Sequence, residues 1–277
     1  MRGLLPLQAD ALIAFVGVSG IATGAVVPSE REKRGAGQMQ KNDIYGGQDP
    51  REMPAYSIPE AAHYLQMPPS TLRRWGKGWV YRTDAGKRFS SSLLVLPEPP
   101  ARGSLLLSFV NVVEAHVLDA LRREHRIAMH KVREALSYLE AHFPSPHPLA
   151  DQTFETDGMH LLIEKYGPLI NISQDGQLAM HNILRVYLSR IERDAAGVPV
   201  KLYLFTRARQ ADEPKVVAID PYVSFGRPVL VGTGIPTAVI ADRYKAGESI
   251  QALAEDYECA SRDIEEAIRC ELNPQAA

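Results

Sequence analysis

The chain has 277 residues, a length that allows about two domains of ordinary size. Its hydrophobic content of 45% is typical of a globular protein, and its formal net charge of −2 excludes a chain that is basic throughout. Any surface that binds nucleic acid must therefore be local. The two cysteines, Cys259 and Cys270, lack metal-binding spacing and predict free thiols in a reducing compartment rather than a disulfide framework.

The first 38 residues differ in composition from the rest of the chain. Residues 4–27 are mostly apolar and small, but Gln8, Asp10 and several glycines interrupt the run. This is a poor match to a secretory signal or to a membrane span of about 20 apolar residues. We interpret residues 1–38 as an extension outside the fold, with a signal or anchor, or a folded element, as the alternatives. We accordingly expect a cytoplasmic protein with no membrane partner.

Residues 39–55 are polar and glycine-containing, which predicts a linker. After them, residues 56–100 have the pattern of a winged helix-turn-helix. The pattern predicts a short helix, a turn at Pro68-Pro69 and a second helix with Ser70 as its N-cap. The segment 81–91 then predicts a tight β-hairpin, the wing, around Asp84-Ala85-Gly86.

The central region, residues 101–212, predicts a mixed α+β arrangement. Apolar side chains recur at helical spacing over 108–125 and 129–143, which predicts a helical hairpin with charged residues on its outer face. Residues 152–173 favour strands, residues 176–194 a further helix, and two more strands follow. The side chains of that helix predicted to face inward are Leu178, Ile183, Val186 and Ile191.

Residues 213–277 predict a strand followed by three helices, a homeodomain-like module. Gly232 and Gly234 permit positive φ before the first helix, and Pro236 suits its first turn. From residue 237 onward nine acidic residues outnumber four basic ones, a difference of five negative charges. Because DNA is negatively charged, it would repel helices with this excess of acidic residues, and we expect the module to bind a protein partner instead.

Basic residues cluster instead in the helix-turn-helix. Residues 56–88 carry six basic and two acidic side chains, a local net charge of +4. In a helix-turn-helix the early residues of the second helix meet base edges, while flanking cations contact phosphates. A solvated basic face is the alternative interpretation. The predicted DNA-binding residues are Ser70, Thr71, Arg73, Arg74, Lys77, Arg82, Lys87 and Arg88.

Two stretches resemble known families. The series Glu60-Ala61-Ala62, Ser70-Thr71-Leu72-Arg73-Arg74-Trp75 and Gly86-Lys87-Arg88 is similar to the winged helix-turn-helix of MerR and excisionase proteins. The segment 220–236, with the helices after it, resembles the helix-turn-helix antitoxins of VapBC-type toxin–antitoxin pairs. In that family the module follows an upstream DNA-binding segment.

The second resemblance implies two partners. One is operator DNA, through which an antitoxin represses its own operon; because palindromic operators require two-fold symmetry, we predict a homodimer formed through 105–143 or 176–194. The other is a cognate PIN-like ribonuclease toxin with an acidic metal-binding site. An arginine of the antitoxin can pair with such a site. The candidates are Arg207, Arg209 and Arg227, and an ordinary surface arginine is the alternative for Arg227.

A MerR-like one-component regulator that senses a small molecule is the alternative function. The aromatic residues of 150–206 could line a ligand pocket, although aromatic residues at such spacings mostly belong to a core. The sequence does not support an enzymatic function. It contains no nucleotide-binding, hydrolase or zinc-protease motif, and no two of its histidines are four residues apart. We predict no catalytic residue, no cofactor and no metal site. The aromatic residues in question are Phe154, Tyr166, Tyr187, Tyr203 and Phe205.

Overall fold

A computed structural model describes most of the chain after residue 44. The described residues are 45–83, 86–98, 105–123, 129–142, 145–152, 154–158, 174–207 and 209–272. The predicted extension, 1–38, and the first part of the predicted linker lie outside them. Among the described residues, no helix has the length and apolar character needed to cross a membrane.

The helix-turn-helix opens with a two-residue strand, β1 (Tyr56–Ser57), followed by α1 (Ile58–Tyr64) and α2 (Pro69–Lys77). Ser57 caps α1: its hydroxyl accepts a hydrogen bond from the backbone of Glu60, whose carboxylate accepts one from the backbone N–H of Ser57. This reciprocal pair satisfies two N–H groups that the helix leaves without partners.

The start of α2 differs from the prediction. The residue before the helix is Pro68, and Pro69 is its first residue, so Ser70 lies inside the first turn and is not the N-cap. A proline at the first helical position has its φ already set for the helix, and it has no N–H that would need a cap. The Pro-Pro pair therefore begins the helix two residues earlier than predicted.

The predicted wing is confirmed as an antiparallel pair, β2 (Trp79–Thr83) and β3 (Gly86–Ser90). Its turn residues, Asp84 and Ala85, lie outside the described residues. The change from α2 to β2 takes place at Gly78, which has a φ of 73°. A Cβ at Gly78 would collide with the backbone carbonyl oxygen of Ser90, so this junction requires glycine.

A buried helix lies at the centre of the fold. After β4 (Leu106–Leu107), which pairs with β1, come α3 (Phe109–Arg123) and α4 (Met129–His142). Almost every residue of α3 up to residue 121 is buried, including Glu114 and Asp119. The predicted helical hairpin elements are present, but the prediction that the charged side of α3 faces solvent is wrong, because other parts of the chain cover that side.

The next helix, α5 (Gln174–Leu188), ends earlier than predicted. Its buried side chains are Met180, Leu184, Tyr187 and Leu188, whereas Leu178 is 62% exposed. The predicted inward stripe is therefore wrong at Leu178, whereas Ile191 is buried as predicted but belongs to a strand and not to the helix. Residues 154–158 form one π-helical turn instead of the predicted strand, and residues 159–173 lie outside the described residues.

A four-stranded antiparallel sheet joins the central region to the C-terminal helices. The strands are β5 (Ile191–Arg193), β6 (Pro199–Tyr203), β7 (Val217–Ile219) and β8 (Val229–Leu230). Their order in the sheet is β5-β6-β7-β8, and β6 pairs with β7 across Leu202 and Ile219.

The predicted strand and three helices after residue 213 are present. The helices are α6 (Thr237–Lys245), α7 (Ile250–Asp256) and α8 (Ser261–Leu272), with α8 packed against α6 and α7. The fold class is α+β, as predicted.

Candidate nucleic-acid interface

The second helix of the helix-turn-helix has one buried face and one basic exposed face. Leu72 and Trp75 are buried in the core. The exposed residues follow the spacing i, i+3, i+4 and i+7, which places them on one side of a helix. They are Ser70, Arg73, Arg74 and Lys77. Among the described residues none of the three cations forms an ion pair, so this face presents uncompensated positive charge.

Thr71 does not belong to that face. Its side chain is buried, and its hydroxyl accepts a hydrogen bond of 3.0 Å from the Nη1 of Arg122, at the end of α3. Thr71 therefore anchors a further cation beside the helix rather than facing solvent. Sequence reasoning missed Arg122, because nothing in the local pattern of α3 shows that its end meets α2.

The wing adds two cations to the basic surface. Arg82 and Lys87 lie directly opposite each other in the pairing of β2 and β3, and both are exposed. The next pair on the same face is Val80 and Phe89, which are 61% and 66% exposed. Arg88 lies in β3 opposite Tyr81, and its side chain lies outside the described part of the chain.

The wing is held to the protein through its other face. The guanidinium of Arg133, on α4, lies 5.1 Å from the ring centroid of Trp79 and donates a hydrogen bond to the hydroxyl of Ser91. Such a cation–π contact contributes about 0.5–1 kcal/mol at a partly exposed site. Because Trp79 begins β2, this contact fixes the base of the wing and leaves the Arg82 and Lys87 face open.

The three arginines predicted to contact a toxin have different surroundings. Arg207 is half-exposed and pairs with the buried carboxylate of Glu266 on α8. Arg209 is largely buried, and its Nη2 donates hydrogen bonds of 2.8 Å to the carbonyl oxygens of Leu65 and Gln66. These carbonyls lie in the turn between α1 and α2, so Arg209 supports the helix-turn-helix from inside.

Arg227 is exposed and forms no ion pair within the described ranges. It follows a turn in which Ser224, Phe225 and Gly226 have φ values of 48°, 56° and 74°. Phe225 is 76% exposed, although an aromatic residue in the left-handed region is strained by roughly 1–3 kcal/mol. The Tyr56 hydroxyl donates a hydrogen bond of 3.0 Å to the carbonyl oxygen of Gly226 and so holds this turn against β1.

The turn borders a cavity of about 300 Å³ between the segment before β1, helix α1 and residues 221–227. Its walls are mainly aromatic and proline side chains, including Tyr64 and Phe225, with Glu60 and Arg227 at its polar side. Arg227 therefore lies next to an apolar recess. Of the three toxin candidates, it alone is both exposed and without an ion pair among the described residues.

Three of the five central aromatic residues belong to the buried core. Phe154, Tyr187 and Phe205 are buried in the core, and the cavity beside Tyr187 and Phe205 has a volume of about 10 Å³, room for about one water. Tyr203 is partly buried, and Tyr166 lies outside the described residues. His116 stacks on Phe205, donates to the carbonyl of Tyr187, and burial lowers its pKa to about 3, so it is neutral.

Metal binding has no visible basis in the described ranges, where no group of three His, Cys, Asp or Glu side chains could hold an ion.

Two family models match the chain in the regions that carry these features. Residues 54–136 match a family described as "Putative DNA-binding HTH domain", and residues 217–269 match one described as "Protein of unknown function (DUF433)". The first match covers α1, α2 and the wing, together with α3 and part of α4. The fold and the basic face of α2 thus define a helix-turn-helix DNA-binding protein.

A relative that is similar over most of the chain shows which family the protein belongs to. The Mycobacterium tuberculosis protein named "Putative antitoxin VapB45" is 30% identical over 231 residues, which cover 78% of this chain and 93% of the relative. The chain therefore belongs to the VapB-type antitoxin family. The crystal structure of Rv2018 from Mycobacterium tuberculosis is also similar, with a TM-score of 0.60 and 25% identity over 78% of this chain and 98% of that one.

Proposed function

We propose that this protein represses its own operon as a homodimer and neutralises a cognate PIN-like ribonuclease toxin. The observation that carries the DNA-binding part is the one-sided basic face of α2, flanked by Arg82 and Lys87 on the wing. A recognition helix enters the major groove with such a face, and wing cations neutralise neighbouring phosphates. The proposed DNA contacts are Ser70, Arg73, Arg74, Lys77, Arg82, Lys87 and Arg88, with Thr71 acting through Arg122.

The toxin part rests on family membership and on the two opposite charges of the chain. The C-terminal module carries nine acidic and four basic residues from position 237 onward, and within it the cations Arg243, Lys245 and Arg269 are paired with carboxylates. An acidic surface of this kind is repelled by DNA and remains available to a protein. The toxin and the operator can therefore occupy different parts of the molecule.

Of the three toxin candidates, the surroundings favour Arg227. Arg207 is engaged by Glu266 and Arg209 by backbone carbonyls, whereas Arg227 is exposed beside Phe225. Arginine and aromatic residues provide most of the binding energy in many protein interfaces, and a guanidinium pairs well with a cluster of carboxylates. We place the toxin contact at Arg227 and Phe225, next to the cavity that they border.

Co-expression with the product of the neighbouring reading frame tests this proposal. We expect the wild-type chain to retain that product during purification and to relieve its toxicity. The Arg227→Ala variant should retain at least tenfold less of it, the loss of one central interface residue. An Arg262→Ala variant, which removes an exposed cation from α8, is the matched control. If wild type retains no partner and leaves toxicity unchanged, the toxin proposal fails.

The homodimer is proposed to form through α4 or α5. Helix α3 is enclosed by its own chain and cannot contribute, whereas α5 exposes Leu178. Sedimentation equilibrium of the wild-type protein measures this directly. We expect a dimer, and a monomer at micromolar concentration would contradict it.

A further inference from the structure

The wing carries an apolar pair that the fold does not use. Val80 and Phe89 lie directly opposite each other in the antiparallel pairing, and more than half of each side chain is exposed. The face that packs on the protein is the other one, where Trp79 meets Arg133. An exposed phenylalanine on the open face of a two-stranded ribbon gains little from folding, because its cross-strand neighbour and Gly78 cover only part of it.

This pair is continuous with the basic surface. Phe89 reaches back to the end of α2: its Cζ lies 2.9 Å from where a Cβ on Gly78 would be. Gly78 follows Lys77 directly, and on the far side of Phe89 lies the exposed pair Arg82 and Lys87. The apolar pair thus lies between the cations of the recognition helix and the cations of the wing.

The charges beside the pair identify its occupant. Arg82 and Lys87 are directly opposite each other, and like charges in that arrangement repel. An anion between or beside them would relieve this repulsion. Two apolar side chains flanked by cations are too small a patch for a specific protein interface, which buries about 800 Å² per partner. An apolar pair beside cations instead fits duplex DNA, whose phosphates are anionic and whose stacked bases form an apolar interior.

Resting on the proposed DNA binding, we propose that Phe89, backed by Val80, is an apolar wedge that enters the minor groove beside the segment contacted by α2. There it partly unstacks one base step and bends the duplex, while Arg82 and Lys87 neutralise the phosphates on either side. Apolar side chains inserted in this way bend DNA by tens of degrees, and the bend brings more of the duplex against the protein. Phe89 therefore contributes affinity and shape selection, favouring sites with an easily unstacked step.

The test measures affinity and bend together on a duplex from the chain's own promoter, labelled at both ends for energy transfer. We expect wild type to shorten the end-to-end distance, and Phe89→Ala to bind about tenfold more weakly with a smaller bend. Phe89→Leu keeps an apolar wedge and should keep most of the bend; thermal unfolding of both variants checks that the wing is folded.

Tyr244→Ala removes an aromatic side chain of α6 that is 39% exposed, and it should leave affinity and bend as in wild type. Wild-type binding with no bend, or Phe89→Ala with the wild-type affinity and bend, overturns the wedge and leaves the DNA-binding proposal standing. The wedge is equally overturned if Phe89→Ala instead shifts the protein from dimer to monomer without DNA, because the pair is then an interface between copies. Failure of wild type to bind the promoter at all refutes the proposed function itself.

Discussion

The structure indicates a different role for Arg209 from the one that its charge predicts. By its charge it is a candidate for a toxin contact, but the structure directs it inward to the carbonyls of Leu65 and Gln66. Gln66 has a φ of 49°, and its side chain donates a hydrogen bond of 2.7 Å to the carbonyl of Phe205. Arg209 and Gln66 together fix the turn between α1 and α2 to the central sheet.

We expect Arg209→Ala to lower the free energy of unfolding by about 3 kcal/mol, because two largely buried carbonyl groups lose a charged donor. Urea denaturation followed by circular dichroism measures the change. The control is Arg262→Ala, whose side chain is 84% exposed and whose loss should change stability by less than about 0.5 kcal/mol. Equal stability of the two variants would mean that Arg209 is not a structural residue.

His147 provides a second prediction for a single residue. Its Nδ1 lies 3.0 Å from the buried carboxylate of Glu114, and its Nε2 lies 3.4 Å from the carboxylate of Glu52. Burial opposes the charge of the imidazole, but the two carboxylates outweigh this and raise the pKa of His147 to about 10. The folded protein therefore keeps a proton on His147 that the unfolded chain releases near pH 6.5.

The stabilisation by this proton is complete below pH 6.5 and is lost as pH rises through about 10. We expect the free energy of unfolding of wild type to fall over that window relative to that of His147→Gln, which cannot be protonated there. Urea denaturation at pH 6, 8 and 9.5 measures both proteins. Parallel pH profiles for the two would show that His147 has no raised pKa.

At the scale of elements, the junction between α2 and the wing depends on Gly78. Its φ is 73°, and a Cβ would meet the backbone of β3. Because that backbone belongs to the wing, a side chain at this position must move the wing away from α2. The cations of the two elements then no longer share one surface.

We expect Gly78→Ala to lower both stability and affinity for promoter DNA. Gly46→Ala is the matched control, because Gly46 has a similar φ of 61° but open space where a Cβ would lie. The control carries only the backbone cost of about 1 kcal/mol, so any larger loss in Gly78→Ala measures the collision. Retention of full DNA affinity by Gly78→Ala would show that the wing need not be held at this angle.

The sequence predicted those elements whose cause is local. Prolines and apolar periodicity were sufficient for α1, α2, α4 and the three C-terminal helices, and the Asp-Ala-Gly sequence was sufficient for the hairpin. The charged side of α3 was misjudged because Glu114 is covered by His147, which is 33 residues away. The burial of Thr71 was missed for a similar reason, since the Arg122 that binds it belongs to a different helix.

The same limit applies to the candidate site. The spacing of Arg73, Arg74 and Lys77 identifies an exposed helical face without any knowledge of tertiary structure. The apolar pair of Val80 and Phe89 can be identified only when the strand register is known, because the register determines which residues lie opposite each other. The different surroundings of Arg207, Arg209 and Arg227 depend on the packing of distant segments. Contacts between residues far apart in sequence leave no local pattern to recognise.

Considered as a whole molecule, the chain separates two opposite charges. The helix-turn-helix has a local net charge of +4 and the segment after residue 236 one of −5, and the sheet that contains β6 and β7 connects the regions that bear them. If the basic face of α2 binds the operator, DNA affinity depends on where a positive charge lies and not on the net charge of the chain. Two double variants that lose the same charge at different places distinguish these cases.

The most direct measurement is the affinity for promoter DNA as a function of salt for wild type, for Arg73→Ala with Arg74→Ala, and for Lys245→Ala with Arg262→Ala. Both variants lose two positive charges. We predict that the first binds far more weakly and that its slope of log affinity against log salt shrinks by about one for each phosphate contact removed. The second should match wild type. Equal weakening of both variants, or unchanged affinity in the first, would contradict DNA recognition by the basic face of α2.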